Sequence, residues 1–249
     1  MQIIFKDDFF VAVNKPAGLL VHKSRIAAQE TRFAMQLVRD MIGQHVYPLH
    51  RLDKPTSGVL VFALQAQTAT AMMHIFEAGQ TEKTYVAVVR GYTAESGLID
   101  YPLKEEHDKT TDAFADHNKP AQAATTIYQR LGTAELPFAV GRYSSSRYSL
   151  IIINPLTGRK HQIRRHMKHI FHPIIGDTTH GDGKHNILFR EQLNCHRLLL
   201  HALQLSFVHP YLKATVTIKA PPDETMTSIL SYMGWNAAIG DTLGQPSMY

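Results

Sequence analysis

One acidic side chain stands between two cations in the segment HRLDKPTSG, residues 50–58. Asp53 follows Arg51 and precedes Lys54, and a proline–glycine turn and a strongly apolar run come directly after it. A guanidinium beside a carboxylate favours the charged form, which a nucleophile or a general base requires. Such pairs are usually surface ion pairs of little energetic value, but a loop anchored by a buried strand suits catalysis. The segment therefore makes Asp53 the first candidate for chemistry.

A second segment, TGRKHQIRRHMKH, combines cations with a helical apolar pattern over residues 157–169. With Thr157 as the expected N-cap, the helical period places Ile163 and Met167 on one apolar face and Arg164 at its edge. Arg164 is therefore expected to reach inward to a site, and the helix N-terminus would add anion-binding N–H groups. The cations that we expect to contact phosphates are Arg159, Lys160, Arg165 and Lys168.

Histidines in the same segment raise the alternative of a metal site. His161, His166 and His169 are spaced i, i+5, i+8, and neither an HExxH nor a CxxC motif accompanies them. We therefore expect no metal ion and, because no cofactor motif is present, no cofactor.

Tyr85 lies in the middle of a third segment, EKTYVAVVRG, residues 82–91. A tyrosine in an alternating strand is usually a core aromatic whose hydroxyl finds a partner. The functional alternative is a ring that stacks on a base. Taken alone, the segment favours the first interpretation.

Strands and helices that must position these residues can be predicted from their periodicity. The strands are expected near residues 58–64, 83–90, 123–131, 147–153, 198–208 and 214–219, after two short strands in the opening segment. The helices are expected near 31–42, 66–78, 157–169 and 223–233. Residues 104–122 are polar and are predicted to form a long loop.

Strands outnumber helices and do not alternate strictly with them. This order predicts an α+β fold with a mixed, largely antiparallel central sheet and flanking helices. We expect a single catalytic domain over residues 1–235 and a loose tail over 236–249. No apolar run approaches the roughly 20 residues that span a bilayer, no secretory signal is recognisable, and the one cysteine fits a reducing compartment. We therefore expect a cytoplasmic protein without a membrane partner.

The positive charge of the chain is concentrated in one stretch. Its net charge is +5, and no acidic residue lies between Glu135 and Asp177, a gap of 41 residues that holds seven Lys or Arg and four His. Such a field suits a polyanion, and nucleic acid is the first candidate. A solvated basic face without a partner is the alternative.

Taken together, the segments resemble a known family. HRLDKPTSG, EKTYVAVVRG and TGRKHQIRRH resemble the three signature motifs of RluA-type pseudouridine synthases, and VNKPAGLLVH and HPIIGDTTHG match further parts of that family's pattern. Five motifs in the same order make the resemblance specific over roughly residues 3–220. Within the family, HNKPAQAATTIYQR and the long segment GRYSSSRYSLIIINPLTGRKHQIRRH are similar to tRNA enzymes that act on a T-stem uridine.

The resemblance implies a role for each matching residue. Asp53 corresponds to the catalytic aspartate, Arg51 to the arginine that helps displace the target base, and Tyr85 to the strand tyrosine. Arg164 corresponds to the basic residue that pairs with the acid, in agreement with its position at the inward edge of the predicted helix. Lys54 stands where many members carry Arg, which affects at most an RNA contact. Many members also carry an N-terminal S4-like domain, which we do not expect here, and a monomer fits the family.

The implied reaction is the isomerisation of a uridine within RNA, most simply in tRNA. The N1–C1′ bond breaks, the uracil turns, and a C5–C1′ bond forms, which requires a flipped-out base but no redox step. Ribosomal RNA remains an alternative substrate. The rival functions are an N-glycosylase that releases the base, a non-catalytic RNA-binding protein that does not need Asp53, and a metal-dependent nuclease.

Overall fold

The computed structural model describes residues 1–22, 31–106 and 119–243. The helices are α1 (Ala34–Ile42), α2 (Ala66–Glu77), α3 (Gln162–His169), α4 (Gly183–Leu193), α5 (Glu224–Tyr232) and α6 (Asn236–Leu243). The strands are β1 (Gln2–Lys6), β2 (Phe10–Lys15), β3 (Tyr47–Pro48), β4 (Ser57–Ala63), β5 (Thr81–Arg90), β6 (Ser96–Asp100), β7 (Thr125–Leu136), β8 (Ser146–Pro155), β9 (Leu200–Val208) and β10 (Thr215–Lys219).

The ten strands form one mixed sheet. Its main path runs β1-β2-β4-β9-β5-β8-β7-β6, with β3 paired to β4 and β10 paired to β9. Among these strands, β4 and β9 are parallel and the other pairs are antiparallel. The α+β architecture with a largely antiparallel sheet, predicted from the order of the elements, is therefore confirmed.

Helices cover both faces of the sheet because successive strand residues point to opposite sides. On β5, Val86 and Val88 pack with α4, α5 and α6, whereas Ala87 and Val89 pack with α3. On β4, Val59 and Val61 face α2, and Leu60 and Phe62 face α1. All seven residues of β4 are buried, as expected for a short apolar run between two layers.

A cleft opens where the two parallel strands meet. β4 and β9 pair over only two residue pairs, Ser57 with His201 and Gly58 with Ala202. Gly58 has a φ of +114°, and a Cβ there would lie 2.1 Å from the carbonyl oxygen of Ala202. Only glycine permits this close approach. The loop that carries Asp53 enters β4 at this junction.

The structure corrects two boundaries that the sequence suggested. The helix predicted from Thr157 begins at Gln162, because the Thr157 hydroxyl donates a hydrogen bond to Oε1 of Gln162 instead of capping a helix. The loose tail predicted from residue 236 is wrong for its first part, since Asn236–Leu243 form α6 and Ile239 is buried in the core. The last six positions, 244–249, lie outside the described residues.

Helix α4 was not predicted, because its apolar residues follow no strong helical period. The Asp182 side chain caps it by accepting hydrogen bonds from the N–H groups of Lys184 and His185. Within the predicted loop 104–122, residues 107–118 lie outside the described part of the chain. The two ends of that loop meet in a bridge between Leu103 and Gln122. No helix in the described ranges is long and apolar enough to cross a bilayer.

Candidate active site

The loop before β4 presents Asp53 to the cleft. The N–H of Thr56 donates to the carbonyl of Asp53 at 3.0 Å, which closes a turn. The next carbonyl, that of Lys54, accepts from the N–H of Gly18 at 2.8 Å and from Nζ of Lys15 at 3.2 Å. These hydrogen bonds to the carbonyls of Asp53 and Lys54 fix the backbone that carries the acid.

Lys15 is a buried lysine beneath this loop. Its Nζ donates to the carbonyls of Pro16, Leu19 and Lys54 at 3.0, 2.8 and 3.2 Å, and its side chain is not exposed to solvent. Burial lowers the pKa of Lys15 to about 7, although the nearby charge of Asp53 opposes the shift. Three carbonyl acceptors orient the amine, and the one on Lys54 ties Lys15 to the loop that carries Asp53.

Arg164 joins Asp53 to a second carboxylate. Its Nη1 donates to Oδ2 of Asp53 at 3.2 Å, while its Nε and Nη2 donate to Asp177 at 2.7 and 2.9 Å. The side chain of Arg164 is 4% exposed and that of Asp177 1%, whereas Asp53 is 29% exposed. Arg164 therefore points inward, as the helical period predicted. Of the three side chains, Asp53 is the one that a ligand can reach.

Asp177 is a site residue that the sequence did not single out. Burial alone would raise its pKa, but hydrogen bonds from Arg164 and from the N–H groups of His180 and Thr179 outweigh it and lower the pKa. A carboxylate with this many donors stays ionised. In the sequence, only the GDTTHG segment marks this position. Gly176, directly before Asp177, has a φ of +80°, and a Cβ there would lie 1.9 Å from the carbonyl oxygen of Arg197.

His161 lies on the wall between Asp53 and two further polar groups. Its Nε2 is 3.9 Å from Oδ2 of Asp53, and its Nδ1 is 3.1 Å from both Oε2 of Glu106 and Nε2 of His180. The backbone of His161 is left-handed, with a φ of 56°, a conformation that non-glycine residues adopt rarely. Burial lowers the pKa of both His161 and His180 below the ordinary histidine value.

Tyr85 projects from β5 into the same cleft. The register of β5 against β9 shifts between Thr84 and Tyr85, and such bulges re-aim a side chain. Burial, and after it the charge of Asp53, raises the pKa of Tyr85 far above its ordinary value. The hydroxyl therefore keeps its proton at neutral pH, which makes Tyr85 a poor general base and favours a stacking or donor role.

The six cations predicted to bind RNA are all placed around this cleft or along α3. Arg51 and Lys54 are exposed beside Asp53, and Lys168 is exposed on α3. Three of the six donate to backbone carbonyls: Arg159 to that of Ala123, Lys160 to that of Glu106, and Arg165 to that of Lys104. Arg165 also pairs with the Glu106 carboxylate.

A cavity of about 570 Å³ opens beside Asp53. Asp53, Tyr85, His161 and Arg164 all line it, together with Arg51 at the loop and Leu200 from β9. The volume falls in the usual range for a small-molecule pocket. The cavity can hold one extruded nucleoside against a single oriented carboxylate.

A family model described as RNA pseudouridylate synthase matches residues 9–169. That range contains Asp53, Tyr85 and Arg164, the three residues assigned to catalysis by resemblance. The chain belongs to the RNA pseudouridylate synthase family. It is therefore an isomerase, as the sequence motifs implied.

Curated relatives of this family match almost the whole chain. A protein of Vibrio cholerae called tRNA pseudouridine synthase C is 54% identical over 96% of this chain and 98% of its own length. One of Haemophilus influenzae with the same name is 50% identical over 94% and 98%. The solved structure of human RNA pseudouridylate synthase domain containing 4 is similar with a TM-score of 0.70, 25% identity, and coverage of 93% of this chain and 92% of that one.

Proposed function

We propose that the protein converts a uridine of tRNA to pseudouridine and that its target is uridine 65 in the T stem. The observation that carries the proposal is Asp53, held by Arg164 at the wall of a nucleoside-sized cavity. Relatives named tRNA pseudouridine synthase C, which share about half of all positions over nearly full length, support tRNA as the substrate. The basic stretch around α3 supports a polyanionic partner.

The uracil must leave the base stack before Asp53 can act on it. Extrusion costs a few kcal/mol, and Arg51, exposed at the entrance of the cavity, is placed to fill the gap that the base leaves. Tyr85 then stacks on the extruded ring. Its retained proton suits a contact with a uracil carbonyl better than proton abstraction.

Asp53 carries the chemical step in one of two ways. It attacks C1′ or the uracil ring to form a covalent intermediate, or it removes the C2′ proton and so releases uracil from the sugar. In both routes the N1–C1′ bond breaks, a C5–C1′ bond forms, and the C5 proton leaves to solvent or a base while N1 is reprotonated. No external group and no electron is gained or lost, so one carboxylate suffices.

A hydrolytic glycosidase normally uses two carboxylates, one of which activates water. Asp177 does not fill that role, because its oxygens already accept hydrogen bonds from Arg164 and from backbone N–H groups and its side chain is 1% exposed. The proposed product therefore retains the base. We further propose that the protein acts as a monomer in the cytoplasm, where tRNA substrates are found.

Release of tritium from C5-labelled uridine tests the proposal. Wild type, Asp53→Asn and Asp40→Asn, a control on the exposed face of α1, are compared on tRNA transcripts with uridine or cytidine at position 65 and on ribosomal RNA transcripts. We expect release only from the uridine 65 transcript, with wild type and the Asp40 variant. Release by the Asp53 variant would refute the role of Asp53, and the absence of release from every transcript would refute the proposed activity. Release only from ribosomal RNA would replace the substrate.

A further inference from the structure

Three potential metal-ligating atoms converge beside the active-site cavity. They are Oε2 of Glu106, Nδ1 of His161 and Nε2 of His180. The His161 atom is 3.1 Å from each of the other two, which are 3.6 Å apart. The three residues come from separate segments, so the spacing of the α3 histidines could not reveal this group.

The separations match the geometry around a small tetrahedral cation. Zinc binds histidine nitrogen and carboxylate oxygen at about 2.0–2.1 Å, which places neighbouring tetrahedral ligands about 3.3 Å apart. The three observed distances scatter around that value. Two histidines and one glutamate are also a ligand set that zinc uses in open sites, where water takes the fourth position.

Protons satisfy this cluster less well than a cation. If His161 carries the proton on Nδ1, it must divide it between Glu106 and His180. If His180 carries the proton, the lone pairs of His161 Nδ1 and Glu106 Oε2 face each other at 3.1 Å. A cation accepts electron pairs from all three atoms at once.

Each of the three residues also makes contacts outside the cluster, and for His161 this is the N–H of Arg165 donating to its carbonyl at 2.9 Å. Nζ of Lys160 donates to the carbonyl of Glu106 at 2.9 Å, and Nε of Arg165 lies 3.3 Å from Oε1 of its carboxylate. The N–H of His180 donates to Asp177 at 2.9 Å. The group is therefore preorganised, which lowers the cost of binding an ion.

We propose that Glu106, His161 and His180 form a binding site for one zinc-class divalent cation. The isomerisation does not need this ion, so the inference goes beyond the proposed function. With a cation on Nδ1, His161 keeps its proton on Nε2, which faces Asp53 at 3.9 Å. A carboxylate behind a metal-bound histidine is the common outer-shell arrangement, and it couples occupancy of the site to the catalytic acid.

Cobalt(II) titration of the full-length protein tests the site without RNA. We expect one equivalent of cobalt to bind and to show the intense visible absorption of a tetrahedral ion. Zinc chloride should then displace the cobalt. Glu106→Gln and His180→Gln should each weaken binding by at least about tenfold, since loss of even an outer-shell partner costs that much. The control is His74→Gln, because His74 pairs with Glu77 at 3.8 Å on the exposed face of α2, and it should bind as wild type does.

Two outcomes would overturn the proposal. The first is the absence of cobalt absorption and of any zinc-dependent rise in melting temperature for wild type. The second is equal binding by wild type and both site variants, which would place the ion elsewhere. Circular dichroism of each variant establishes that it is folded, and the zinc-dependent melting shift gives an independent readout for any variant that binds no cobalt.

Discussion

The guanidinium of Arg164 makes two hydrogen bonds to Asp177, at 2.7 and 2.9 Å, in almost complete isolation from solvent. This fork fixes the plane of the guanidinium and leaves Nη1 to meet Asp53. Asp177 thus orients Arg164, and Arg164 orients the carboxylate of Asp53. The arrangement separates the buried charge pair, Arg164 and Asp177, from the more exposed carboxylate of Asp53.

Replacement of Arg164 should abolish turnover without abolishing RNA binding. In Arg164→Met, the Asp53 carboxylate loses its orienting donor, and misplacement of a reacting group costs about 10²-fold in rate. Tritium release at saturating tRNA and a filter-binding titration would measure the two properties. Loss of affinity with normal turnover at saturation would contradict this role.

Lys168→Met is the matched control on the same helix. Lys168 is exposed on α3, so the proposed phosphate contact predicts the opposite pattern. Affinity should fall and the slope of log affinity against log salt should become shallower by about one, with turnover at saturation unchanged. An unchanged slope would remove Lys168 from the RNA interface.

Asp177→Asn should damage both stability and activity. Breaking one partner of a buried charge pair costs about 3–5 kcal/mol because the other charge is left uncompensated. We expect a loss near the lower end of that range, since the amide oxygen can still accept one hydrogen bond. Urea unfolding measures the free energy, and turnover at saturating tRNA measures the loss of Arg164 orientation. Wild-type values for both would show that Arg164 holds its position without Asp177.

The positions of Asp53 and Arg164 were predictable from sequence, but the residues that support them were not. Asp53 and Arg164 lie in segments with a clear turn and a clear helical period, and those patterns predict their positions. Asp177 and His180 lie in an irregular segment between helices α3 and α4. Only the folding of the chain brings Asp177 into contact with Arg164. Periodicity cannot report such contacts, and for the same reason it missed Glu106 beside His161.

Gly58→Ala should destabilise the cleft. The added methyl would overlap the Ala202 carbonyl oxygen at 2.1 Å and would force a side chain into a φ of +114°. Backbone atoms cannot move aside cheaply, so we expect a loss of more than about 3 kcal/mol in unfolding free energy. Gly183→Ala is the control, because nothing lies within 4 Å of its Cβ position. Equal urea midpoints for both variants would mean that the β4–β9 junction adapts.

Lys15 should make stability depend on pH in the alkaline range. Burial lowers its folded-state pKa to about 7, whereas an unfolded lysine titrates near pH 10.4 (about the model-peptide value). Between these values the unfolded chain binds more protons than the folded one, so the Lys15 contribution to stability rises with pH.

Comparison of wild type with Lys15→Met isolates this contribution. The difference in unfolding free energy should shift in favour of wild type by up to about 1.4 kcal/mol per pH unit above pH 7. Lys6→Met, at the exposed end of β1, controls for the loss of a lysine in general. A difference between wild type and Lys15→Met that stays constant from about pH 7 to 9.5 would show that the three carbonyls of Pro16, Leu19 and Lys54 keep Lys15 charged despite its burial.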